Sequence, residues 1–306
     1  MTEIKDLRDF ISALDSDGQL VKVSNPVSIE YELADVAASI AREGKGACLF
    51  ENVTESPWPV FCGGVASHSR AAVALGCELS EVADTMENAL DPSNGVSPIR
   101  TDKADWQDNT ISGSEIDLKN LPILTHSRGD SGPFITGAVT VSKDPISGRG
   151  NLSYNRMSKL DKNILGFNVN EWRDVGTFWK SRENPDDPFP IALAMGLDPA
   201  IMIAAGVKTH VDELFIAGAI RGRGIEVCKG LTVDIDIPSS AEVVIEGFLH
   251  PAKRAPEGPL AEFHGYHGEA WDSPTLEVSS ISWRDNPIFQ TIIPGWYEHI
   301  LSLIHI

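Results

Sequence analysis

The densest group of residues able to do chemistry is Pro256-Glu-Gly-Pro-Leu-Ala-Glu-Phe-His-Gly-Tyr-His-Gly268, in which Glu257 and Glu262 lie five positions apart. Pro256, Gly258, Pro259 and Gly265 frame them, and residues of these types fix a loop backbone and let it approach a ligand closely. Two carboxylates in one site push their proton affinities apart, so that one can hold a proton at neutral pH while the other stays charged. A solvated acidic loop is the plainer reading of the same spacing, because short motifs often match by chance. His264 and His267, with Glu262 or Glu269, offer a different chemistry: a zinc or manganese site for metal-dependent hydrolysis. Against it, Gly265 and Gly268 make the segment a poor helix, and the one-turn His spacing of helical metalloproteases is absent.

A second group is Asn151-Leu-Ser-Tyr-Asn-Arg-Met157. Read as a strand, it puts Asn151, Ser153 and Asn155 on one face and Leu152, Tyr154 and Arg156 on the other. An arginine turned inward needs a carboxylate partner, and its planar fork suits one bidentately. The alternative is an edge strand with Arg156 in solvent. Gly218-Ala-Ile-Arg-Gly-Arg-Gly224 departs from the spacing of dinucleotide-binding loops, although Arg221 and Arg223 could meet a phosphate or an anionic substrate.

The elements that must position these residues are legible in outline. Leu7, Phe10, Ile11 and Leu14 follow helical spacing, and Ser28 is a candidate N-cap for a helix carrying Leu33, Val36, Ala37 and Ile40. Strands are expected at 47–53 and 60–65 and helices at 67–76 and 81–90, with 91–112 as a polar linker. This makes a small α/β unit. From Ile116 the texture changes to short strands separated by Gly, Pro and Asp. The turn Asp144-Pro-Ile-Ser-Gly-Arg-Gly150 predicts a hairpin between 135–142 and 151–160. Helices are expected within 168–180 and at 199–205. Many short strands at this spacing favour a barrel or a sandwich.

With 25 Lys+Arg against 44 Asp+Glu in 306 residues, the net charge is −19. That excess speaks against nucleic acid and anionic membranes as partners. Four cysteines without a CxxC pair fit a reducing, cytoplasmic setting, and Asp198-Pro199 interrupts the most apolar stretch, 191–207, before it could span a bilayer. The last six residues, Leu301-Ser-Leu-Ile-His-Ile306, read like a translated transposon-type sequencing adapter, which would make the preceding chain a piece of a longer protein.

Taken together, the ordered motifs resemble the UbiD family of reversible decarboxylases that use prenylated FMN. They are Leu121-Pro-Ile, Asp130-Ser-Gly-Pro-Phe-Ile-Thr136, Asp144-Pro with Gly148, Asn151 with Arg156, Glu226-Val-Cys-Lys229, Pro256-Glu-Gly-Pro with Glu262 and Gly265-Tyr266, Asn286-Pro-Ile-Phe-Gln290, and Pro294-Gly with Glu298-His299. The resemblance runs from Lys5 to Ile300. It implies an α+β chain: an N-terminal α/β domain over 1–110, then a flavin-binding split β-barrel over 111–300, with the family's C-terminal α/β domain missing.

Carried over by residue, it implies a catalytic triad of Arg156, Glu257 and Glu262. Glu262 would donate and accept the proton, while Arg156 and Glu257 hold the substrate carboxylate and organise the charges. Asn151 and Glu213 would ligate a divalent metal (Mn2+ or Mg2+, with K+ as a further candidate ion) that ties down the flavin phosphate. Ser153, Tyr154, Arg156, Ala204 and Ala205 would contact the flavin. Losing carbon dioxide from an sp² carbon leaves an unstabilised carbanion, so an electron sink is required, which the prenylated flavin supplies. The substrate is expected to be an aromatic, heteroaromatic or α,β-unsaturated acid. A flavin prenyltransferase would supply the cofactor, and the full-length protein is expected to be a homo-oligomer, with this chain alone inactive. One departure concerns the third metal ligand. Trp172 stands where the family has a histidine, and water or a carboxylate such as Glu171 or Asp174 is expected in its place. A non-catalytic UbiD-like subunit of a carboxylase complex is the alternative, which the intact triad disfavours.

Overall fold

The computed structural model describes residues 3–262, 264–296 and 298. The adapter reading of 301–306 lies outside the described residues, as does His299. The first part of the chain runs α1 (Leu7–Ser16), β1 (Leu20–Val23), α2 (Glu32–Arg42), β2 (Ala47–Phe50), β3 (Val60–Cys62), α3 (His68–Leu75) and α4 (Val82–Leu90). As the spacing predicts, α1 buries Leu7, Phe10, Ile11 and Leu14, and the Asp6 side chain caps it by accepting from the Asp9 N–H. Ser67 caps α3 in the same way, and Gly76 closes that helix in the left-handed region.

Ser28 does not cap α2. That helix begins four residues later, behind Tyr31 at φ 69°. The delay has a cause: Val27 and Glu30 are pinned in extended bridges to Val53 and Thr125, and the Tyr31 N–H is held by the Thr125 carbonyl. The Ser28 hydroxyl bonds Glu55 instead.

The first sheet has the order β1-β2-β3-β16, and its last strand, β16 (Phe289–Gln290), comes from the far end of the chain to lie parallel to β3. The stretch 91–112 is not a free linker. It carries β4 (Ile99–Thr101), which pairs in parallel with a later strand, and β5 (Asn109–Ser112), which joins the large sheet.

That large sheet is built from β6 (Phe134–Ile135), β7 (Val139–Lys143), β8 (Gly150–Tyr154), β9 (Met157–Lys159), β10 (Ile164–Phe167), β11 (Phe189–Met195), β14 (Val243–Glu257) and β15 (Trp271–Trp283). Its order is β6-β9-β10-β15-β14-β11-β7-β8, with β5 on β15. The predicted hairpin is present as β7–β8 around the 144–150 turn. Along the chain the sheet is interrupted by α5 (Asp174–Lys180), α6 (Pro199–Ala205) and α7 (Glu213–Arg221), and then by β12 (Glu226–Lys229) and β13 (Asp236–Pro238), which form a small sheet with β4.

β8 is one edge of the large sheet, and β9 with the two-residue β6 forms the other; only Asn155 and Arg156 separate β8 from β9 in sequence. The sheet therefore curls without closing, and the seam of this half-barrel is spanned by Arg156. Gly247 permits the curl, because its β-carbon would come within 2.4 Å of the Glu277 carbonyl where the β14–β15 register slips. Apolar residues cover both faces. Ile191, Leu193, Val243 and Ile245 pack on one side with Phe50 and Phe289, and Val139, Ala192, Ala194 and Val244 pack on the other with α6 and α7. Among the described residues, no helix is long and apolar enough to cross a membrane.

Candidate functional site

A cavity of about 850 Å3 opens along the seam. This is within the range of roughly 300–1,000 Å3 typical of small-molecule and cofactor sites. Asn151, Ser153, Tyr154, Arg156, Ala205, Glu213 and Glu262 all line it, whereas Ala204 is buried behind the wall. Two predicted positions need correcting. Arg156 is not on a strand but in the two-residue link after β8, and Glu257 is not in a loop but is the last residue of β14. The alternation expected for residues 151–156 therefore stops at Tyr154, which frees the Arg156 side chain from the pleat.

The structure brings the three together at one end of the cavity. Arg156 donates from Nε to Glu257 Oε1 at 3.0 Å and from Nη2 to Oε2 at 3.1 Å, a bidentate fork, while its Nη1 donates to Glu262 Oε1. The Glu257 side chain is fully buried and does not reach the cavity; that of Glu262 is 26% exposed and does.

Sequence reading missed Asn168, which follows β10. Its Nδ2 donates to Glu257 Oε2 at 2.7 Å, its N–H bonds the Arg156 carbonyl, and its own carbonyl accepts from Asn155 Nδ2. No motif marks it, since an asparagine among Asn168, Asn170 and Asn184 carries no spacing of its own.

The other end of the cavity is built by β8 and the start of α7. Asp212 caps α7 by accepting from the Leu214 N–H, and Glu213 turns its carboxylate back onto β8, where it accepts from the Leu152 N–H at 2.7 Å. Burial pushes the Glu213 carboxyl up to about 8. Asn151 is 2% exposed, and its Nδ2 has no hydrogen-bond partner among the described residues. The Glu213 carboxylate and the side-chain oxygen of Asn151, which lines the same cavity, are ligand types that hard ions such as Mn2+ or Mg2+ accept, while the unpartnered Asn151 Nδ2 is a donor and suits an acceptor such as a phosphate oxygen. Lys208, Thr209, His210 and Arg173 line the same cavity. The Tyr154 hydroxyl donates to the Met202 carbonyl, and burial holds the phenol well above its ordinary value.

Both carboxylates expected as substitutes for the third metal ligand are already paired with cations in the chain. Trp172 is 87% exposed, Glu171 is tied to Lys180 at 2.7 Å, and Asp174 is tied to Arg149 at 2.8 Å. Among the described residues no group of three or more His, Cys, Asp or Glu could hold a metal ion. The two histidines of the hydrolase reading point to different neighbours: the His264 ring lies against Tyr266, and His267 meets Ser127 and Asp130. Arg221 and Arg223 are structural too. The former lies inside α7 and forks onto the buried Asp198, and the latter pairs with Glu3.

The sequence of residues 98–297 matches the family model of the 3-octaprenyl-4-hydroxybenzoate carboxy-lyase Rift-related domain, and residues 11–90 match that of the same family's N-terminal domain. The chain belongs to the UbiD family. An evolved dimeric form of the UbiD-class enzyme HmfF from Pelotomaculum thermopropionicum, in complex with prFMN, superposes with TM-score 0.92 at 33% identity, over 97% of this chain and 70% of that one. The apo 3,4-dihydroxybenzoic acid decarboxylase AroY of Klebsiella pneumoniae gives 0.90 at 31%, over 97% and 66%. The vanillic acid decarboxylase of Sedimentibacter hydroxybenzoicus in closed form gives 0.93 at 26%, over 99% and 67%. This chain thus spans about two thirds of the length of these UbiD-class structures, and its mixed α/β fold with a half-barrel is theirs.

Proposed function

We propose that this protein is a prenylated-FMN-dependent carboxy-lyase that removes, and in reverse adds, the carboxyl group of an aromatic, heteroaromatic or α,β-unsaturated acid. The observation that carries the reading is the Arg156 guanidinium bridging Glu257 and Glu262, from 101 and 106 residues away, on the wall of a cofactor-sized cavity. A non-catalytic subunit would have no need to assemble and bury that cluster. The reading is supported by the family and by the prFMN complex of its relative HmfF. It takes in the division of the chain near residue 110, a homo-oligomeric full-length protein, a prenyltransferase that supplies the cofactor, and a cytoplasmic setting suited to four free cysteines.

Ser153, Tyr154, Ala205 and the Arg156 backbone would hold the flavin, with Ala204 behind them. Asn151 and Glu213 would hold a divalent cation at the phosphate. When bound, the prenylated flavin supplies the electron sink that decarboxylation needs. The chain's own residues do the rest. Arg156 offers Nη1 towards the cavity, where a substrate carboxylate can compete with Glu262 for it. Glu257, engaged on both oxygens by Arg156 and Asn168, keeps the guanidinium plane fixed. Glu262, free to leave Arg156 for the cavity, delivers a proton to the substrate carbon that has lost carbon dioxide and takes it back in the reverse direction.

In the full-length protein co-expressed with a flavin prenyltransferase, Glu262→Gln should abolish turnover and hydrogen–deuterium exchange at the product carbon while the visible flavin spectrum persists. Loss of flavin with turnover restored by added cofactor would instead make Glu262 a binding residue and overturn the assignment.

A further inference from the structure

The loop bearing Glu262 is fastened from behind by residues outside the Arg156 cluster. Asp130, whose side chain is fully buried, is the hub. Its Oδ2 accepts from the backbone N–H of His126 at 3.1 Å and of Ser127 at 2.7 Å. Its Oδ1 accepts from the Ser127 hydroxyl at 3.0 Å and, across the cleft, from the N–H of Ala261 at 3.2 Å, immediately before Glu262. His267 Nε2 lies 2.8 Å from Ser127 Oγ and 3.3 Å from Asp130 Oδ1. A β-carbon on Gly129 would fall 2.4 Å from that same nitrogen, so the imidazole rests directly on the glycine. The Ser131 N–H adds a bond to the Pro259 carbonyl at 2.9 Å. One turn, 126–131, thus grips the loop at 259, 261 and 267, on both sides of Glu262.

Serine, histidine and aspartate together suggest a nucleophilic triad, but the geometry denies it. Ser127 and Asp130 meet the same ring nitrogen, so the carboxylate cannot orient the imidazole from its other side.

We infer that Asp130 and His267 form a latch that positions Glu262 for proton delivery. The inference rests on the reading of Glu262 as the proton donor. Neither latch residue lines the cavity, so both are positioning residues. Inside the loop, the Glu262 N–H bonds only back to the Tyr266 carbonyl, so the loop's own hydrogen bonds cannot fix where the carboxyl sits relative to the half-barrel. The latch does. Proton transfer requires hydrogen-bond reach, and misplacing a reacting group by about 1 Å costs on the order of a hundredfold in rate.

The test compares His267→Ala, His267→Gln and Gly129→Ala in the flavin-loaded full-length protein, with Glu262→Gln as reference. His267→Ala should lower kcat about tenfold, with KM and flavin affinity within about twofold, a fraction of the cost of a full 1 Å displacement. His267→Gln keeps a side-chain N–H for Asp130 and should recover most of kcat. Gly129→Ala, which evicts the ring without altering it, should reproduce the His267→Ala loss, and the double variant should lose no more. In flavin-free protein, amide hydrogen exchange across 259–268 should rise in His267→Ala and Gly129→Ala but not in His267→Gln. Unchanged kcat and exchange in His267→Ala would overturn the latch, as would a loss that glutamine fails to restore. If Glu262→Gln kept turnover, the proton-donor reading would fall, and loop exchange would still decide whether the latch exists.

Discussion

The two ends of the cavity are built on opposite principles. At the Arg156 end every buried charge has its counterpart in the chain: Glu257 is engaged by Arg156 and Asn168, and Glu262 by the remaining guanidinium nitrogen. At the Glu213 end two buried polar groups lack a counter-charge or partner of their own: a carboxyl that burial drives up to about 8 and an amide nitrogen without a hydrogen-bond partner among the described residues. A preorganised end keeps its geometry before anything binds, which suits groups that must act on a reacting carbon. A buried carboxyl suits a ligand that brings positive charge with it, and an unpartnered amide N–H suits one that brings an acceptor oxygen.

The largest effect should come from breaking the complete end. Arg156→Ala leaves Glu257 buried without its cation and should cost about 3–5 kcal/mol of stability, read from the urea midpoint. Arg156→Lys should cost less, because it keeps the charge, yet still abolish turnover, because an ammonium has no fork. The incomplete end should respond in the opposite direction. Without divalent cations, Glu213→Gln should stabilise the protein by about 1–3 kcal/mol, since a neutral amide replaces a carboxyl held away from water.

The sign follows from the raised carboxyl. The folded state binds more protons than the unfolded one between the ordinary carboxylate range and about pH 8, so wild-type stability falls as pH rises through that window. The slope should flatten in Glu213→Gln. Mn2+ should raise the melting temperature of the wild type and not of the variant; equal metal effects on both would erase the contrast between the ends.

A pH effect that vanishes at neutral pH concerns His126, behind the latch, which burial lowers to about 4. Here the unfolded state binds the extra proton, so this contribution is complete above pH 6.5 and is lost as pH falls towards 4. His126→Gln should flatten that arm of the stability–pH curve, whatever its offset at neutral pH.

How much of this was legible in the sequence depended on whether a signal was local. Helical spacing gave α1, and the 144–150 turn gave the β7–β8 hairpin, because periodicity and turn residues act within a few positions. Ser28 failed as a cap because distant bridges at Val53 and Thr125 override it. The stretch 91–112 looked like a linker because strands of three and four residues carry too little pattern to show, and their partners lie more than a hundred residues on. Within the site, Arg156, Glu257 and Glu262 were nameable from the family resemblance, but not their places in the fold. Spacing put Glu257 in a loop because Pro256 and Gly258 flank it, whereas cross-strand pairing with Trp271 keeps it in β14. Asn168 and the grip of Asp130 on Ala261 are tertiary, and nothing in their neighbourhoods announces them.

The seam between β8 and β9 also bears on the order in which the molecule is built. Arg156 sits in a two-residue link formed early in the chain, but its carboxylate partner arrives at the end of β14, 101 residues later. Contacts of such separation wait on the closure of long loops, and their entropy must be met before the contact rewards it. Until β14 has paired with β11 and β15, the Arg156 guanidinium is without its buried carboxylate. The proton-handling cluster is therefore completed only as β14 joins the central sheet. A chain able to do the chemistry is also one that has finished folding its central sheet.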